Sequence, residues 1–217
     1  MRHTFRALPL FVLLLSPVAC AHSADMPMAA TSKPAQASPL KVAETKAVLR
    51  DLWLGHVLAI RNVAVATMDK NAPAREAAEK GVVANAQQIA GSIEPFYGKP
   101  ASEKLFALLA EHYGAIRDHL DATVAGSASQ QEAAVKHLTS NAAEISTFLS
   151  GANSNWPKDA VMGLLTAHAA HHIQQFQQLK EGDYADEGKT WTGMKSHIYV
   201  VADTLGNGLA AQFPNKF

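Results

Sequence analysis

Three histidines crowd one short stretch of this chain, Thr166 to Leu179, where His168, His171 and His172 stand among Ala, Gln and Leu. At about 100° per residue, His168 and His172 fall one helical turn apart on a shared face. That face is the apolar one. Val161, Leu164, Leu165, His168, His172, Phe176 and Leu179 trace one stripe, whereas Asp159, Thr166, Gln174 and Gln177 point away from it. Inward imidazoles need partners: a metal, a carboxylate, an amide or a water. Neutral imidazole suits a divalent transition metal such as Zn, Ni, Cu or Fe, and a zinc site of the open kind uses three protein ligands. His168 and His172 with either His56 or His112 reach that count.

These side chains require long helices to position them. Abundant Ala, few aromatic residues, and Gly and Pro gathered between the periodic segments favour helix over strand. Apolar stripes predict helices over residues 40–70, 74–93, from Ser102 as N-cap to about 125, 130–149, from Pro157 at the first helical position to near Gly182, and 190–212. The first stripe takes in Val48, Leu49, Leu52, Trp53, His56, Ile60 and Val63. Gly206 and Gly208 weaken the later half of the last helix. No internal repeat of fixed period is evident. Short connections imply antiparallel neighbours, hence an all-α, up-and-down bundle of four core helices with further helices packed on it, about six in total. His56, Asn85, His112, Asn141 and His168 lie near the midpoints of their helices, and His197 is slightly displaced. In an antiparallel bundle midpoints share a level, so these groups form a polar layer across an apolar interior, with Asn85 and Asn141 able to contact a bound group. A hydrogen-bonded layer without metal satisfies the same pattern. His119, His137 and His171 fall at edges or outer faces. Arg61 skirts the core, where it meets an anionic ligand or a surface ion pair, and Tyr97 and Trp156 cap the core.

Ahead of the bundle, Arg2 and Arg6 flank a short basic start and Ala7 to Leu15 is an apolar run too short to span a bilayer, the pattern of a secretory signal. Ala19-Cys20-Ala21 supplies the small residues of a cleavage site. The expected division is a signal peptide over 1–21, a flexible tether over 22–39, and one helical domain over 40–217, exported to the periplasm or envelope. Cys20 is alternatively the acylated first residue of a lipoprotein, which would be the chain's contact with a membrane. As the only cysteine, it has no disulfide partner. Met26 and Met28 in the tether are soft ligand types for copper. Nineteen basic residues balance nineteen acidic ones without a basic stripe, which argues against nucleic-acid binding. A phosphate loop, a nucleophile elbow and a His-Glu-x-x-His motif are all absent.

The run His168-Ala-Ala-His171-His172-Ile-Gln-Gln175 resembles the late-helix motif of the DinB/YfiT-like superfamily, bacterial helical bundles that bind a divalent metal through a His-x-x-x-His pair and a third His. That resemblance implies His168 and His172 as ligands and Gln175 as a nearby polar group, although here His56 comes from the first helix rather than the second. Over most of the mature chain, Leu52-Trp53-x-x-His56, Phe96-Tyr97-Gly98, Asn141-Ala-x-Glu144-Ile, Trp156-Pro157 and His197 through Pro214 are similar to a family of uncharacterised small bacterial helical proteins. The expected function is binding of a divalent transition metal or small polar ligand at the His/Asn layer. The alternatives are a metal-dependent hydrolase or transferase, and a metal-free structural or interaction protein of the envelope.

Overall fold

Apolar stripes become helices throughout residues 36–217, the part that the computed structural model describes. They are α1 (Pro39–Met68), α2 (Ala72–Gly91), the single turn α3 (Glu94–Tyr97), α4 (Lys99–Ala125), α5 (Ala128–Ala152), α6 (Lys158–Glu181) and α7 (Tyr184–Gln212), followed by a 3₁₀ turn at Pro214–Lys216. The leader, Cys20, Met26, Met28 and most of the tether lie outside the described residues. Among the described residues no helix is long and apolar enough to cross a membrane.

Six long helices form three antiparallel hairpins, α1–α2, α4–α5 and α6–α7. Each packs on the next, and α7 returns to α1 to close the ring, while α6 also touches α1 and α4. Direction is visible in the core. Along α1 the buried residues pass from Leu49, Trp53 and Val57 in one apolar cluster to Ile60, Val63 and Ala64 in a second; α2 returns from Val82 to Ala86 and Ile89. Between the two clusters, at the middle of the helices, lie the buried polar residues His56, His112, Asn141, His168 and His172.

The hairpins are also copies of one another, contrary to the expectation of no repeat. His56, His112 and His168 follow at a constant interval of 56 residues, as do Asn85, Asn141 and His197, and Leu52, Leu108 and Leu164. Equivalent side chains make equivalent bonds: Asn85 Nδ2 donates to the Leu52 carbonyl at 2.9 Å, Asn141 Nδ2 to Leu108 at 3.0 Å, and His197 Nε2 to Leu164 at 3.0 Å. The turns match too. Lys70, Gly126 and Gly182 hold the left-handed conformation at φ 52°, 71° and 73°, and Asn71, Ser127 and Asp183 follow as N-caps. The repeat escaped the sequence reading because its units share the polarity of positions far more than residue identities. Trp53, Leu109 and Leu165 are equivalent, as are Val63, His119 and Gln175.

Helix ends differ from expectation in physically simple ways. Gly98 at φ 81° opens α4 with Pro100 in its first turn, so Ser102 is a buried residue inside the helix rather than its cap. Pro157 is the residue before α6, and α7 starts six residues early because the Asp183 carboxylate accepts the Asp186 N–H at 3.1 Å. Val48, expected on the α1 stripe, is 59% exposed; the buried face is narrower and runs through Leu49. Gly208 serves contact rather than flexibility. A Cβ there would stand 1.9 Å from Trp156 Nε1, and the glycine lets Trp156 lie buried across α7 with its N–H on the Thr204 carbonyl at 3.2 Å.

Candidate metal centre

His56, His168 and His172 come together. Each offers a ring nitrogen, all within 4.8 Å of one another, and all three residues are buried. The ring centroids are 5.4 Å apart for His56 and His168, 4.6 Å for His168 and His172, and 6.2 Å for His56 and His172. Metal–nitrogen bonds of about 2.0–2.1 Å bring ligand nitrogens closer together than 4.8 Å, so binding would draw this set inward, and the terminal torsion of each ring is the soft one.

Three of the four layer histidines are the repeat histidines, brought to one place by the equivalent helices α1, α4 and α6. The fourth breaks the symmetry. His172 occupies the position that is Ile60 in the first hairpin and Ile116 in the second, so one helix supplies two imidazoles a turn apart.

His112 stands 5.9 Å from His168, centroid to centroid, outside the tightest group. Its tautomer is set by its neighbour. Asn141 spends Nδ2 on the Leu108 carbonyl, so it presents Oδ1 to His112 Nδ1 at 3.1 Å, which places the proton on Nδ1 and leaves a lone pair on Nε2. That Nε2 is buried without a partner, as are both ring nitrogens of His168 and of His172. The equivalent Asn85 makes the same backbone bond, but its Oδ1 is buried and unpartnered, and His197 in the third hairpin makes no hydrogen bond to His168.

Electrostatics keep these lone pairs free. Burial, with a smaller push from the His112 side chain, lowers His56 to about 3. Desolvation also holds His168 and His172 well below the usual histidine range, reinforced by the neighbouring imidazoles, and lowers His112 against the opposing bond from Asn141. Neutral imidazole is the form a metal needs, so little proton competition remains near pH 7.

Gln175, one turn past His172 and fully buried, gives its Nε2 to Glu187 Oε1 at 2.7 Å and leaves Oε1 without a partner. Glu187 is 3% exposed and takes both arms of Arg61 at 2.8 and 2.9 Å. Arg61 therefore meets a buried carboxylate of its own chain. Glu187 was missed because the last helix was expected to begin only at Thr190; the Asp183 cap is the sequence signal that would have found it. His119 also differs from its expected edge position. It is 3% exposed against Phe176, with ring centroids 6.4 Å apart, and its place seven residues after His112 puts it on the same face. His137 is exposed and His171 partly so.

Above the layer lies an apolar cavity of about 50 Å³ that reaches His56, His112 and His168. It follows the axis of the repeat, since its walls use equivalent triplets, including Leu49, Leu105 and Val161, and Ile89, Ile145 and Val201. Trp156 stands among the residues that line it.

Comparison with protein-family models, with curated proteins and with solved structures finds no match. Functional inference therefore rests on the geometry of the site.

Proposed function

We propose that this is an exported protein that binds one transition-metal ion through His56, His168 and His172, with His112 Nε2 as an adjacent fourth donor, and that its role is binding or sensing. One observation carries the reading. Five buried ring nitrogens on His112, His168 and His172 have no partner in an interior where the comparable Asn and hydroxyl groups are largely bonded. A metal would take one nitrogen from each of these three rings, three of the five, without importing other polar groups. Zn, Ni, Cu and Fe all accept such ligands. Support for hydrolysis is weaker, because among the described residues lining the cavity there is no carboxylate to serve as general base.

Metal analysis of tag-free protein tests this. About one equivalent of metal is expected in the wild type, with loss of it in the His168→Ala, His172→Ala double variant. Sub-stoichiometric metal unchanged by that double substitution would sink the proposal. A melting temperature indifferent to chelator and to added metal would favour the metal-free envelope protein instead, since a ligand of the native state alone must raise stability.

A further inference from the structure

The axial cavity restricts what can reach a metal at this layer. Its volume of about 50 Å³ exceeds the ~10–15 Å³ that a cavity needs to hold one water and falls well short of the ~150 Å³ that admits benzene, so an occupant has only a few heavy atoms. Among the described residues that line it, none carries a formal charge apart from what the histidines could take up. An amine placed there would lose its hydration with no counter-charge to replace it, and a carboxylate or phosphate could pair only with the metal itself, since the walls offer no other charge. The apolar triplets give water no partner along most of the wall, so an ordered water would be confined to the polar groups at the edge, the histidines and the unpartnered Trp53 N–H. The polar edge is formed by His56, His112 and His168. In the neutral form His168 keeps one N–H and the free nitrogen of His112 is a lone pair, so these rings offer an anion at most one neutral donor and no cation.

We propose that this cavity seats a neutral diatomic gas, of the class of dioxygen, nitric oxide and carbon monoxide, as an added ligand of the metal held by His56, His168 and His172. The inference rests on the metal reading above and narrows it to iron or copper, whose reduced ions take such ligands. Only a coordinate bond forms; no bond within the gas breaks and no electron leaves the site.

The test uses the full chain, stripped of metal, loaded with ferrous ion without oxygen and exposed to nitric oxide, with iron content measured on every sample. The half-integer-spin resonance of a non-haem iron nitrosyl is expected in the wild type. Azide, a small anion, should bind far more weakly. Leu165→Phe fills the cavity from the turn before His168 and should keep its iron while binding nitric oxide about tenfold less tightly; Ile145→Phe, from α5, replaces it if the first variant does not fold. Iron retained at one equivalent without a nitrosyl signal overturns this inference and leaves the metal reading standing. So does azide binding as tight as that of nitric oxide, or nitric oxide binding unchanged in the folded, cavity-filled variants. Loss of iron from every sample, and of cuprous ion loaded in the same way, overturns this inference, and failure to retain zinc and nickel as well overturns the metal reading.

Discussion

An asparagine beside a histidine does two jobs in this protein, and the three hairpins differ in how far they are done. Asn141 holds the Leu108 carbonyl and fixes the proton on His112, whereas Asn85 holds Leu52 and leaves its own oxygen idle. Asn141→Ala strands two buried groups and should cost about 2–3 kcal/mol in metal-free protein; Asn85→Ala strands one and should cost about half that. Chemical denaturation of both variants checks the order, and equal or reversed losses would contradict the assignment. By equivalence with Asn141 and His112, Asn85 Oδ1 is the expected acceptor for His56 Nδ1–H in the metal-loaded protein, so Asn85→Ala should then weaken metal binding by about 10- to 100-fold. Proton linkage has a definite sign here. Folded-state values below the unfolded histidine value mean that the unfolded chain takes up more protons in the interval between them. The stability these groups contribute is present above the unfolded value of about 6.5 and is lost as pH falls below it, for His56 down to about 3, with each histidine adding up to ~1.4 kcal/mol per pH unit. Denaturation of chelated protein between about pH 7 and pH 5 should show this decline, and a flat profile would contradict neutral burial.

Helix ends carry the repeat most plainly. Lys70 takes at φ 52° the left-handed conformation that Gly126 and Gly182 take in the other hairpins, at a cost of about 1 kcal/mol for a side-chain-bearing residue. Lys70→Gly should therefore stabilise the protein by a few tenths to about 1 kcal/mol, the gain being limited by the extra freedom of glycine in the unfolded chain. A lower denaturation midpoint would refute that account. Gly208→Ala has the opposite prospect. Its Cβ collides with the indole of Trp156, and Asn153 Nδ2 is bonded to the Gly208 carbonyl at 2.9 Å, so the backbone is poorly placed to yield. A loss of about 1–3 kcal/mol is expected, with a change in tryptophan fluorescence as Trp156 moves. Wild-type fluorescence and stability together would show that the contact relaxes freely.

Ring closure belongs to the whole molecule. The third hairpin meets the first where Glu187 of α7 binds Arg61 of α1, and the same carboxylate anchors Gln175 in the core. With Arg61 34% exposed, solvent screens the ionic part of this link. Glu187→Ala should still cost about 2–3 kcal/mol, chiefly because the buried Gln175 amide loses its acceptor. Glu187→Gln retains an acceptor and should lose less; thermal or denaturant unfolding of the pair separates the two contributions. Hydrogen bonding by Arg61 and Gln175 keeps Glu187 ionised below the usual carboxylate range, against the opposing effect of burial.

Periodicity alone determined most of the helices and which histidines face inward, because burial of a stripe at 3.6-residue spacing is a local property of the chain. It placed His56, His112, His168 and His172 inside, and an antiparallel arrangement of the helices set His56, His112 and His168 at one level with Asn85 and Asn141. It left open which histidine joins His168 and His172, since that depends on how three hairpins turn about a common axis. Tertiary structure chose His56 for the closest group and gave His112 to Asn141 as a tautomer-locked neighbour. It also buried His119 and Glu187, uncovered the threefold repetition of hairpins, and aligned the equivalent leucines and isoleucines around a cavity on the repeat axis. Contacts between helices far apart in sequence decide such features, whereas a stripe specifies only that its face is covered.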